Sequence, residues 1–174
     1  MKRSDACATG TPPRRGAALA RRVLEGVAGV ALAASLAGCG LSVPSDPNGT
    51  LANASGGELR VGASTDPGLI DDHGSEPSGS LARLVDDFSE SIDARPEWTV
   101  GSEETLVRML ESGELDLVVG GFTEDTPWLD RAGITRGYRA IEGADGRSIV
   151  FLVPLGENAF LSELEAFLDE EVGS

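Results

Sequence analysis

The chain has 174 residues, with 29 acidic side chains against 14 lysines and arginines and a net charge of −15. Such a surface repels phosphates and anionic lipid headgroups, which argues against a nucleic-acid partner and against a membrane held by charge. One histidine and two cysteines argue equally against a histidine-dependent triad or a multi-histidine zinc site, and no cofactor is expected.

From the N-terminus, Arg14, Arg15, Arg21 and Arg22 make a basic leader, Gly26 to Leu36 is apolar, and Leu36-Ala37-Gly38-Cys39 closes the run. A basic region, a short apolar region and small residues before a cleavage point describe a secretory signal. Cysteine directly after the small residues is the bacterial lipoprotein pattern, in which the thiol is acylated at the membrane surface and the peptide ahead of it is removed. The run is shorter than the roughly 20 residues that span a bilayer core. Residues 1–38 are therefore expected to be a signal peptide, and Cys39 the lipid attachment. The membrane partner is reached through that lipid, on the extracytoplasmic side of the cell membrane. Cys7 lies in the leader, so the mature chain has no disulfide. Of the 29 acids only Asp5 and Glu25 precede Cys39, and Lys2 is the only lysine, so the remainder is more acidic still.

Residues 39–57 are rich in Ser, Pro, Asn and Gly and carry little apolar periodicity, as expected of a tether between anchor and domain. Asn48-Gly49-Thr50 and Asn53-Ala54-Ser55 match glycosylation sequons but in such a protein report only a polar segment. Residues 58–174 suit one small domain with one core.

In that domain Leu59, Val61 and Ala63 alternate with Arg60 and Gly62, a strand. A polar loop follows, with turn signals at Asp66-Pro67 and Pro77-Ser78-Gly79, and with His73 exposed. Leu81, Leu84, Val85, Phe88 and Ile92 recur at helical spacing, and Trp98 to Val100 form a second strand. Ser102 is placed to cap a helix carrying Leu106, Val107 and Leu110, with Glu103 and Glu104 at its positive end and Gly113 beyond it. Leu115 to Val119 is a nearly continuous apolar run, a strand covered on both faces; the one charge in it, Asp116, is expected to make a structural hydrogen bond. Thr126-Pro127 predicts a short helix with Trp128 in its first turn. Ile134 to Ile141 and Ser148 to Val153 read as strands around the turn Gly143-Ala144-Asp145-Gly146. Asn158 is expected to cap a last helix bearing Phe160, Leu161, Leu164, Phe167 and Leu168. The order predicts an α/β fold: a three-layer, mostly parallel sheet with helices on both faces. Ligands of such sheets lie at the carboxyl ends of the strands, here Ser64-Thr65-Asp66, Gly101-Ser102-Glu103 and Gly120-Gly121-Phe122-Thr123.

Leu59-Arg60-Val61-Gly62-Ala63 and, more specifically, the unit from Leu110 to Thr123 (LESGELDLVVGGFT) resemble bacterial solute-binding proteins of the polar amino-acid ABC transporter type, which have the type II periplasmic-binding fold. Ile134-Thr135-Arg136-Gly137-Tyr138 is similar to the family's "FSxPY" stretch, and Val153 to Asn158 to its C-terminal return. The family has two lobes, the second inserted between the strands that match Tyr138 and Phe151. Here only Glu142 to Arg147 stands in that place, so the resemblance implies a single lobe with an antiparallel hairpin replacing the other. It also places Trp128 where the family's carboxylate-binding arginine stands. An indole offers one N–H and no charge in place of a bidentate fork.

The resemblance makes Thr123 a hydrogen-bonding ligand contact beside Gly121, where a glycine pair lets a solute approach the backbone, with Trp128 packing on it. The plainer alternative is a turn threonine and a tryptophan covering the sheet edge. Ser64 and Asp66 stand nearby. Asp66 could accept from an amine, although Asp-Pro is also ordinary turn chemistry, and Arg136 is the arginine nearest to replacing the missing charge. The function implied is a lipid-anchored solute-binding-type protein, with a small-molecule solute and a membrane transporter as partners. The alternative is an accessory or sensory module whose open face docks a transporter or a second copy in a homodimer and binds no free solute. No nucleophile–base pair, metal cluster or phosphate loop points to an enzyme.

Overall fold

The computed structural model describes residues 45–74 and 76–173. The leader and Cys39 lie outside the described residues. The elements are α1 (Thr50–Ala54), β1 (Glu58–Ala63), α2 (Ser80–Ser91), β2 (Arg95–Val100), α3 (Glu103–Glu111), β3 (Leu117–Val119), β4 (Gly133–Ile134), β5 (Leu152–Val153) and α4 (Asn158–Glu171). Among the described residues no helix is long and apolar enough to cross a membrane.

The sheet order is β2-β1-β3-β5-β4. β1 pairs in parallel with β2 and β3, and β5 runs antiparallel to both β3 and β4. Strand alternation sorts the side chains into two layers. Leu59, Val61, Ala63, Leu117 and Val119 pack with α2 and α4, where Phe88 meets Phe160 edge-on with centroids 5.8 Å apart. Val118 and Leu152 point to the opposite face and pack with Leu106, Val107 and Leu110 of α3. Gly62 is held to glycine on this face, because a Cβ there would come 2.8 Å from Leu115 and 3.0 Å from Leu106. The three-layer α/β fold is as expected from the sequence.

Five local expectations differ. Residues 45–57 are not all tether: α1 docks on the domain, burying Thr50 and Ala54. The cause is Glu157, a residue with no apolar periodicity to mark it. Glu157 is 1% exposed, and its carboxylate accepts the backbone N–H groups of Asn48 at 2.9 Å and Thr50 at 3.1 Å. Glu157, not Asn158, therefore occupies the position ahead of α4, and neither side chain caps the helix. Ser102 does precede α3, but its hydroxyl donates to Thr105 Oγ1 rather than accepting from the helix backbone.

The segment after Thr126 forms turns instead of a helix, closed by Arg131 and Ala132 N–H groups donating to the Trp128 carbonyl. It has only a few residues in which to reach β4 at Gly133. Finally, the last two strands are adjacent and antiparallel through Tyr138 and Phe151, yet their regular ladder is short. Thr135 N–H donates to the Phe151 carbonyl, but the return rung goes to a side chain, Phe151 N–H donating to Thr135 Oγ1 at 3.0 Å. Pairing resumes as a single bridge between Tyr138 and Ile149. The connection is a tight turn, with Gly143, Asp145 and Gly146 at positive φ, so the domain is one lobe.

Candidate functional site

The parallel register aligns Ala63 with Val100 and with Val119, so the three strands end level and their following residues share one edge. Ser64 N–H donates to the Val119 carbonyl, and Gly101 N–H to that of Ala63. Gly120 lies against Ser64, where a Cβ would come 2.9 Å from the Ser64 carbonyl oxygen. Asp66 starts a turn in which its carbonyl accepts from Leu69 and Ile70. That frees its side chain to lean over Gly121, where a Cβ would meet Asp66 Oδ2 at 1.9 Å. Ser64, Asp66 and Gly121 are thus brought together.

The residue that completes this cluster escaped the sequence reading. Arg147, at the end of the tight turn, donates Nη1 to Asp66 Oδ2 at 2.8 Å and Nη2 to Asp66 Oδ1 at 3.0 Å. Its Nε donates to the Ala144 carbonyl, which holds the guanidinium plane. The turn is pressed on the Asp66 loop so closely that a Cβ at Gly143 would come 2.0 Å from the Gly68 carbonyl oxygen. Both partners remain partly open, with side-chain exposures of 35% for Arg147 and 25% for Asp66. The signal in the sequence was indirect: the turn that stands where a second lobe would begin ends in an arginine, while Asp66 lacked an assigned cation.

Thr123 pairs with Ile149 two residues beyond Arg147, its carbonyl accepting from Thr126 N–H. Beside it Gly137 faces Ser148 and Glu124. A pocket of about 400 Å³ lined by Thr65, Pro67, Asp71, Asp72 and His73 adjoins Asp66, and His73 is exposed there.

Trp128 and Arg136 are engaged elsewhere. The Trp128 N–H donates to Glu103 Oε2 at 3.2 Å, its ring lies 5.3 Å from the Arg131 guanidinium, and it packs on the α3 layer. Arg136 is bound to Glu165 and Asp169 of α4 at 2.9 and 2.8 Å. Tyr138 adds its hydroxyl to Asp169, and its pKa is raised by burial and then by that carboxylate. Arg136 thus fastens the chain after β4 to α4.

At the amino ends of the strands lies a second concavity of about 450 Å³. Its arginines are already paired, Arg60 with Asp116 and Arg131 with Glu111. Asp116 takes the structural role expected of it, accepting from the backbone N–H, Nε and Nη2 of Arg60.

No protein-family profile matches the sequence, and no curated protein matches it. Solved structures do. Domain 1 from TmArgBP, in its arginine-bound form, superposes with a TM-score of 0.57 at 19% identity, over 65% of this chain and 92% of that one. An ancestral arginine-binding protein bound to arginine gives 0.56 at 11% identity, over 68% of this chain and 93% of that one. A periplasmic binding protein of Salmonella typhimurium, described for its high arginine specificity, gives 0.55 at 13% identity, over 67% and 94%. At such identities the likeness is one of fold, and the described chain has the fold of a single lobe of a type II periplasmic binding protein.

Proposed function

We propose that this chain is a lipid-anchored, extracytoplasmic solute-binding-type protein serving an ABC-type or other membrane transport system, with Cys39 as its lipid attachment. The observation that carries this reading is the convergence of Ser64, Asp66 and Gly121 at the level carboxyl edge of β1 and β3, in a fold whose solved relatives include proteins with arginine bound. Thr123 is the hydrogen-bonding partner on that edge; Trp128, turned to Glu103 and the α3 layer, does not join it. A single lobe offers an open face, where a two-lobed cleft buries most of its ligand. Binding of a free solute is therefore weak unless another subunit supplies the second wall. With an indole in the place of the carboxylate-binding arginine, a free α-carboxylate loses a charge-assisted bond, about 1.5–3 kcal/mol or ten- to a hundredfold in affinity.

The second reading is an accessory module whose open face docks a transporter or a second copy. One observation favours it: the only charged pair on the described edge cluster is already internally satisfied. Equilibrium dialysis of the full chain against pooled amino acids and organic cations separates the two. Solute retained by the wild type and lost with Thr123→Val supports the first reading; retention of nothing supports the second. Lipidation is tested by metabolic labelling with a fatty acid, which is expected to mark the wild type and not Cys39→Ala.

A further inference from the structure

We infer that Arg147 is a built-in occupant of the edge site, and that the subsite it fills, Asp66 over Gly121, is selective for a guanidinium group. This rests on the reading of the carboxyl edge as the ligand face.

The first argument is geometric. Asp66 meets Arg147 with both oxygens on both terminal nitrogens, at 2.8 and 3.0 Å, the planar fork that a guanidinium makes and an ammonium cannot. The subsite depends on glycine beneath it, since a Cβ at position 121 would take the place of Asp66 Oδ2. The second argument is about commitment. Among the described residues Asp66 has no other side-chain partner, and the pair joins loops 81 residues apart. It is partly solvent-exposed, the setting in which an ion pair adds little stability. The fold does not need this pair as it needs Arg60–Asp116, so the pair is free to exchange. The third argument is local. Arg147 sits in the six-residue turn, and Gly143 presses that turn on the Asp66 loop, so the guanidinium stays within reach even when released.

A tethered group competes with free ligand at an effective concentration of about a millimolar or more. Arg147 then holds the subsite for more than half of the time, and a guanidinium solute binds the wild type about two- to sixfold more weakly than a chain without that side chain. Displacement leaves Arg147 free to meet an anion, either a carboxylate of the same solute or one on a docking subunit.

The test is calorimetric titration of the full-length chain in mild detergent with methylguanidinium, and with methylammonium as a control of equal charge. Arg147→Ala is expected to bind methylguanidinium about two- to sixfold more tightly than the wild type, and Asp66→Asn/Arg147→Ala to lose that gain. Methylammonium should bind at least tenfold more weakly than methylguanidinium to Arg147→Ala. Arg147→Met, which keeps the aliphatic stem, serves if the alanine variant folds poorly. Equal binding by wild type and both Arg147 variants, binding retained in the double variant, or no binding by either single variant overturns the inference. Those failures leave the edge reading intact if dialysis still finds a solute sensitive to Thr123→Val. If no solute responds to Thr123→Val while Arg147→Ala gains methylguanidinium, Thr123 drops out of the site and the Asp66 subsite stands.

Discussion

Two arginine–aspartate forks stand at opposite edges of this sheet, and their differences separate holding a fold from serving a site. At the amino edge Asp116 is 4% exposed and takes the Arg60 guanidinium together with the Arg60 backbone N–H. Arg60 Nη1 goes on to the Gly113 carbonyl, and the Asp116 N–H returns to the Arg60 carbonyl at 2.8 Å. The pair is a rung of the β1–β3 ladder. At the carboxyl edge Asp66 and Arg147 share the same chemistry, but they join a loop to a turn and stay partly wet. Burial and backbone involvement, rather than charge, decide which pair the fold depends on.

The sharpest way to break this contrast is to remove each acid. Breaking a buried pair from one side costs roughly 3–5 kcal/mol, and the half-exposed Arg60 puts Asp116→Ala near the lower end, about 3 kcal/mol. Urea denaturation should register this as a large drop in midpoint. A loss below 1 kcal/mol would mean that the amino-edge pair is not structural. Glu157→Ala comes next. It strips a charged acceptor from Asn48 and Thr50, for about 2 kcal/mol, and limited proteolysis should then cut within residues 45–57. Arg147→Ala is expected to cost least, about 0.2–1 kcal/mol, as for exposed pairs. A cost matching that of Asp116→Ala would erase the distinction between the edges.

The docked strap also carries a pH signature. Burial works to raise the Glu157 pKa, but the N–H groups of Asn48 and Thr50 and the Asp46 carboxyl outweigh it, and the net shift is down. Its contribution to docking is present above the ordinary glutamate pKa and is lost as pH falls through the lowered value. Asp46 is shifted up, by burial and then by Glu157, against the opposing N–H of Leu51. Its Oδ1 is buried with no hydrogen-bond partner among the described residues. Its contribution is present at low pH and is lost as pH rises through the raised value. Docking is therefore firmest in the window between the lowered Glu157 pKa and the raised Asp46 pKa, and proteolysis rates at residues 45–57 should pass through a minimum there. Asp46→Asn should remove the alkaline limb only.

The layers of the fold were legible because apolar periodicity reports burial directly: Leu59, Val61 and Ala63 alternate, and Leu81, Val85 and Phe88 recur at helical spacing. Single-lobe architecture was legible from the six-residue connection Glu142 to Arg147. What stayed hidden were pairings over long sequence separations. Nothing in the local pattern joins Glu157 to Asn48 or Arg147 to Asp66, and Arg136, the candidate to replace the missing charge, turned to α4 because Glu165 and Asp169 present two carboxylates one helical turn apart. Thr135 likewise looked like an ordinary strand residue, although its hydroxyl replaces a ladder rung.

The account's central claim is that the carboxyl edge, and not the roomier amino-edge concavity, is the ligand face. Amide chemical-shift mapping of the full chain, titrated to tens of millimolar with amino acids and guanidinium or ammonium cations, tests it most directly. The account predicts that at least one solute shifts the amides of Ser64, Asp66, Gly121, Thr123 and Arg147 while Arg60, Gly113 and Asp116 stay still. Shifts confined to Arg60, Gly113, Asp116 and Leu155 would contradict it.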